Sequence, residues 1–228
     1  MKFGSRRDFL RAAAVGGAVV AIPSIFGACK VGETLNGTNP TTSGPLLTID
    51  FATGDTAFLK FLSVYKQVQA DFYTNIVANF ATSDLTTTQQ ALVTDIKNHE
   101  VIHRETIKAV LGSSNAITPT PKWGTTNFKK ASEIMQTAVN FEDVSIGLYN
   151  GMLQRILSAS NLSLLLEIQS VEGRHSAALR DNLLPKSGTP TGYSPGTADA
   201  SYPLSLVGAQ IQTIIVETLQ YTNAPAGL

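Results

Sequence analysis

From residue 58 onward the apolar positions recur at steps of three and four rather than two, and that spacing predicts helices. A first segment places Leu59, Leu62, Lys66, Gln69, Tyr73, Ile76 and Phe80 on one face, and a second places Val93, Ile96, Glu100, His103, Ile107 and Val110. A third gives Met135, Ala138, Glu142, Ser145, Tyr149, Met152 and Ile156, and a fourth Leu165, Ile168, Glu172, His175 and Leu179. Four such stripes predict an all-α bundle around one core. Each stripe is broken near its middle by polar residues facing the same way, where a packed helix should carry apolar side chains.

Local signals bound the segments. In "LTTTQ", Thr86 and Gln89 can form a capping box behind Leu85, and Gly112 stops the second helix. Asn127 is the expected cap of the third helix, and the fourth ends before Pro185. Residues 113 to 126 join the two halves. Fully extended they reach about 46 Å, whereas a helix of about 26 residues is about 39 Å long. This linker can therefore cross the whole bundle and relate two hairpins by a pseudo-two-fold axis. Residues 185 to 205, rich in Pro and Gly, read as a surface loop. In "LVGAQIQTIIVETLQ" the expected element is a short helix with Val207, Ile211 and Ile214 inward, with a strand as the alternative.

The polar interruptions repeat. "EVIH" at 100 to 103 and "EGRH" at 172 to 175 share Glu-x-x-His, with Ile four residues before and an aliphatic residue four after. "KQVQADFY" at 66 to 73 and "EDVSIGLY" at 142 to 149 end in Tyr at the same spacing, so Lys66 stands where the second hairpin has Glu142. Burying unpaired charge costs several kcal/mol per ion, so converging carboxylates and imidazoles must neutralise one another or something else. Glu-x-x-His puts both side chains on one helical face, which lets a carboxylate bridge ions while the imidazole ligates one. His99, about 100° off the stripe, is expected to be exposed rather than a ligand, and Trp123 to pack over the bundle end.

Composition adds little to the fold but changes the setting. The chain has 228 residues and formal net charge +0, enough for one sizeable core. It opens with paired Arg6 and Arg7 before an apolar run to Cys29, its only cysteine, which resembles a bacterial twin-arginine export signal. "FGAC" resembles a lipoprotein cleavage box with Phe26 where Leu is usual, so lipidated and unlipidated forms both stay open. A lone cysteine excludes an internal disulfide. Without residues 1 to 28 the chain keeps 13 basic and 16 acidic side chains, and no basic run suggests nucleic acid. The expected organisation is an export signal over 1–28, a flexible tether over 29–54 and a four-helix bundle over 55–184. A Pro/Gly-rich loop with a short C-terminal element fills 185–228.

"NHEVIHRETIKAVLG", "FEDVSIGLY" and "VEGRHSAALR" resemble the exported ferritin-like domain proteins of bacteria, relatives of ferritins, bacterioferritins and manganese catalases. The resemblance implies a ferritin-like up-down four-helix bundle with its long crossover between the second and third helices. It also implies Glu100, His103, Glu142, Glu172 and His175 as ligands of iron or manganese, with Tyr73 and Tyr149 near the ions. Lys66 and Gln69 depart from it, since relatives usually have Glu at both places. Three readings stay open: Lys66 pairs with Glu142 or a bridging Glu beside one ion, it swings aside from two ions, or it closes a metal-free salt-bridge network. The functional expectation is metal binding or redox chemistry at the cell envelope, such as iron oxidation or peroxide removal by an oxidase-like or catalase-like centre. The alternative is a metal-free stress-protective or interaction module. Metal ions are the expected partners, with a lipid anchor at Cys29 and a homo-oligomer left open, and closed-shell mineral storage is disfavoured by the tether.

Overall fold

The protein is described from a computed structural model over residues 45 to 183 and 204 to 224. Its elements are β1 (Leu46–Asp50), α1 (Asp55–Ala78), α2 (Thr87–Leu111), α3 (Ala131–Leu153), α4 (Ala159–Leu183), α5 (Leu204–Gln212) and β2 (Thr218–Thr222). The four long helices form two antiparallel hairpins, α1 with α2 and α3 with α4. Among the described residues no helix is long and apolar enough to cross a membrane.

Helix α2 begins at the expected capping box, in which Thr86 Oγ1 accepts from Gln89 N and Gln89 Oε1 accepts from Thr86 N. It ends at Gly112, whose φ of 75° suits a residue without Cβ. The nineteen residues from there to α3 do cross the bundle. Ile117 is tied to Ser63 in the first half of α1, the Trp123 indole donates to Asp71 one third of the helix further on, and Lys129 O accepts from Asp84 N beyond its far end. Helices α2 and α3 therefore run parallel, as a full-length crossover requires.

The third helix starts later than the sequence suggests. Asn127 caps only Lys129, while α3 opens at Ala131, whose N–H is taken by Asp84 from the loop before α2. A carboxylate supplied across the bundle does the capping that the local sequence lacks. At the opposite end Asp55 does the same for α4, accepting from Leu157 N at 2.9 Å, Ser158 N at 3.0 Å and Asn161 Nδ2 at 3.0 Å. Asp55→Ala removes three bonds to a charged acceptor that also fastens the two hairpins together. We expect a loss of about 2 kcal/mol in urea unfolding, with Asp55→Asn losing less.

Four expectations need correction. The tether does not run to residue 54: "LLTID" forms β1 and pairs in parallel with β2, Leu46 opposite Thr218. The partner lies some 170 residues away, so nothing local announces the strand, although the alternation that buries Ile49 is present. The C-terminal element is both a helix and a strand, since α5 buries Val207 and Ile211 before the chain extends into β2. A Cβ on Gly208 would collide with the Tyr221 hydroxyl, so a glycine lets β2 close on α5. Finally, Val110 is 45 % exposed and Leu111 is buried instead, because the stripe of α2 drifts by one residue in its last turn. The other stripe residues are buried except Phe80, which is half-buried. Trp123 packs against Phe72, Phe128 and Phe141 on the flank of α1, not over the bundle end. The expected loop over 185 to 205 lies almost wholly outside the described residues, as do Arg6, Arg7 and Cys29.

Candidate metal centre

The four polar interruptions meet at mid-bundle. Lys66, Gln69, Glu100, Glu142, Ser145 and Glu172 are fully buried, and His103 and His175 are 7 % and 5 % exposed. They come from all four long helices, which is why the stripe positions are polar on each.

Lys66 points inward. Its Nζ lies 2.9 Å from Glu100 Oε2, 2.7 Å from Glu172 Oε1 and 2.8 Å from Gln69 Oε1, with Tyr149 presenting its ring face at 5.6 Å. The reading in which Lys66 swings aside is thus opposed by the structure. The ammonium pairs with the two Glu-x-x-His glutamates, while Glu142 is left to Tyr73, which donates at 2.5 Å, and to Gln69 at 3.5 Å.

Each carboxylate has one oxygen in a hydrogen bond, and Glu172 has its other oxygen in the ion pair with Lys66. Glu100 is held through Oε2 by Lys66, Glu142 through Oε1 by Tyr73, and Glu172 through Oε2 by Ser145 at 2.8 Å. The other oxygens, Glu100 Oε1, Glu142 Oε2 and Glu172 Oε1, and the Nδ1 atoms of His103 and His175, are buried without a hydrogen bond of proper geometry. They nevertheless crowd together. His175 Nδ1 stands 3.4 Å from both Glu100 Oε1 and Glu142 Oε2, and His103 Nδ1 stands 2.9 Å from Glu172 Oε1 and 3.5 Å from Glu100 Oε1. One donor atom from each of Glu100, Glu142, Glu172 and His175 can be chosen so that all lie within 4.8 Å of one another. Carboxylate oxygens and imidazole nitrogens that converge in this way are what a hard cation with some nitrogen ligation takes.

The electrostatics follow from this crowding. Burial opposes charge on Lys66, but Glu100, Glu172 and Glu142 outweigh it and raise its pKa. Burial works upward on Glu100 too, yet Lys66 and the two histidines hold it well below the usual carboxylate range, and Lys66 likewise keeps Glu172 low against burial and the Glu100 charge. Glu142, which Lys66 does not touch, is raised by burial and then by Glu172 and Glu100 to about 8. Burial disfavours charge on His175, but its bonds to Glu100 and Glu142 raise it to about 10, and Glu100 and Glu172 raise His103 in the same way. Without a metal, three carboxylates face one ammonium and a shared pair of protons. A single dication can replace that pair of protons and leave the net charge unchanged.

Two features escaped sequence reasoning. His99 is exposed as expected, but its ring lies edge to edge and nearly coplanar with that of His175, with centroids 5.2 Å apart and 9° between planes, and its Nδ1 lies 3.0 Å from His175 Nε2. Its position one residue before a seam glutamate turns it toward α4, a direction that one helix alone does not reveal. Behind His175, Asp143 accepts from Ser176 at 2.7 Å and from Arg180, fastening α3 to α4 beside the site.

Comparison with known proteins agrees with this geometry. A profile described as Ferritin-like domain matches residues 54–185, and one described as TAT (twin-arginine translocation) pathway signal sequence matches residues 5–23. No curated protein matches the chain.

Proposed function

The chain belongs to the ferritin-like domain family and carries a twin-arginine export signal, and from that premise we propose that it binds one divalent iron or manganese ion at mid-bundle for metal handling or redox chemistry outside the cytoplasm. The observation that carries this reading is the buried convergence of Glu100, Glu142, Glu172 and His175, each offering a donor atom within 4.8 Å of the others. Glu100, Glu142, Glu172 and His175 would hold the ion, with His103 as the fifth ligand. A bound iron or manganese ion supplies one-electron chemistry, since hard oxygen donors suit both of its common oxidation states. Oxidation of ferrous ion and removal of peroxide are the activities to assay.

The chain's own residues do the rest. Lys66 fixes a positive charge between Glu100 and Glu172, where relatives of this fold would offer a carboxylate to a second ion. Tyr73 keeps a proton directed at Glu142 Oε1, so the opposite oxygen stays turned toward the histidines. Ser145 does the same for Glu172. Apolar layers containing Ile96, Ile107, Met135 and Met152, all but closed to solvent, flank the cluster and keep its dielectric low. Export of a folded bundle lets the ion be loaded inside the cell, and a lipid at Cys29 would then hold it at the membrane.

The Lys66 ion pairs favour a second reading, a metal-free bundle whose centre is a salt-bridge network and whose role lies on its surface. One experiment separates the two. The chain from residue 30 onward, expressed in cytoplasm supplied with iron and manganese and purified without chelator, should carry one equivalent of metal per chain. Binding should also release about two protons at neutral pH, read by calorimetry in buffers of different ionisation enthalpy. A chain with no bound metal and no affinity for either ion leaves the network reading.

A further inference from the structure

His175 presents one ring nitrogen to the centre and the other to the surface. Its Nδ1 lies 3.4 Å from Glu100 Oε1 and Glu142 Oε2, while its Nε2 lies 3.0 Å from the Nδ1 of His99. A neutral imidazole carries a single N–H and an imidazolium carries two. If Nδ1 is to offer a lone pair to an ion, the hydrogen must sit on Nε2; if the ring is protonated between the carboxylates, Nε2 carries a hydrogen as well. In both states the short contact is Nε2–H of His175 donating to Nδ1 of His99. His99 then keeps its own hydrogen on Nε2, the nitrogen that does not face His175.

We infer that His99 is a positioning residue for the metal centre, the acceptor that locks the His175 ring with Nδ1 turned into the bundle. The inference rests on the reading of His175 as a ligand. The near-coplanar, edge-to-edge arrangement, 9° between planes, aligns the two nitrogens for that bond and fixes the ring orientation as well as the hydrogen. Its sequence position ties it to the site, because His99 precedes Glu100 on α2 while His175 is on α4. A displacement of one helix along the other would break the contact and the ligand arrangement together. A ligating histidine whose outer N–H has a fixed acceptor binds metal more tightly, and loss of such an acceptor commonly costs about 10- to 100-fold in affinity. His99 is exposed, so replacing it opens no cavity in the core.

The test uses the exported chain, isotopically labelled, with Zn²⁺ as a diamagnetic probe and Mn²⁺ for affinity. A through-hydrogen-bond coupling between His175 Nε2 and His99 Nδ1 is expected with and without Zn²⁺, and it disappears in His99→Ala. Affinity for both ions should fall about 10- to 100-fold in His99→Ala. It should recover in His99→Asn or His99→Gln, whose carbonyl oxygens can accept the same hydrogen, while the thermal midpoint of the metal-free protein hardly moves. Wild-type affinity in His99→Ala overturns the inference alone, as does absence of the coupling. A wild type that binds neither ion overturns the metal-centre reading and this inference with it.

Discussion

Replacing Lys66 by Glu will raise the bound metal from one divalent ion per chain to two. In the wild type the three buried carboxylates of Glu100, Glu142 and Glu172 are matched by the Lys66 ammonium plus one dication, with neutral histidines. The substitution leaves four carboxylates and no fixed cation, a charge that two dications cancel. Lys66 Nζ now sits within 2.9 Å of both Glu-x-x-His glutamates, so removing it vacates the place where these oxygens would meet a second ion. The same bookkeeping makes the metal-free variant fragile. Four carboxylates would share two imidazolium charges in a core that excludes water, and breaking a buried ion pair from one side costs about 3 to 5 kcal/mol. The Lys66→Glu protein should therefore melt well below the wild type in chelator and recover, or exceed it, when iron or manganese is added. Native mass spectrometry gives the stoichiometry and a thermal melt gives the stability. One ion in both proteins would break the charge-matching argument, and a metal-free wild type beside a metal-binding variant would assign the centre to the salt-bridge network.

Most of the bundle and nearly all of the centre were legible in the sequence, for one physical reason. A side chain on a helix is placed by its own residue number, so Glu100 with His103 and Glu172 with His175 had to share a face, and the stripes told which face was inward. Buried polar residues on four such faces had to meet. What could not be read are the features that depend on how separate elements sit against each other. Asp84 and Asp55 cap helices they do not belong to, β1 finds its partner across the whole chain, and His99 reaches His175 on another helix. Lys66 is the intermediate case: its depth followed from the stripe, but its choice of Glu100 and Glu172 over Glu142 depended on where three other helices bring their carboxylates.

That choice makes Glu142 the residue that separates binding from stability. At neutral pH its raised pKa of about 8 means that the metal-free protein holds it largely as the neutral acid, kept there by burial and by the charges of Glu172 and Glu100. Glu142→Gln replaces a neutral acid with a neutral amide of the same shape and removes the proton uptake that folding requires of Glu142 at pH 7, so the metal-free fold should be at least as stable as the wild type there. Glu100→Gln behaves otherwise. Glu100 is held ionised by Lys66 and the two histidines, and its loss strands the buried ammonium on Glu172 alone, for an expected cost of about 3 to 5 kcal/mol. Both variants delete one of the unpartnered ligand oxygens and should lose metal. The pH dependence distinguishes them further. A carboxyl whose folded pKa lies above its unfolded value of 4.5 contributes to stability fully below that value, and the contribution declines as pH rises from about 4.5 to about 8. The metal-free wild type should accordingly lose stability between about pH 5 and about pH 8, and Glu142→Gln should lose less over the same interval. Urea unfolding of both proteins in chelator measures the two slopes. Equal slopes would mean that the shared protons reside on His103 and His175 rather than on Glu142, and a large loss of stability in Glu142→Gln at neutral pH would show that its charge, like that of Glu100, is required by the fold.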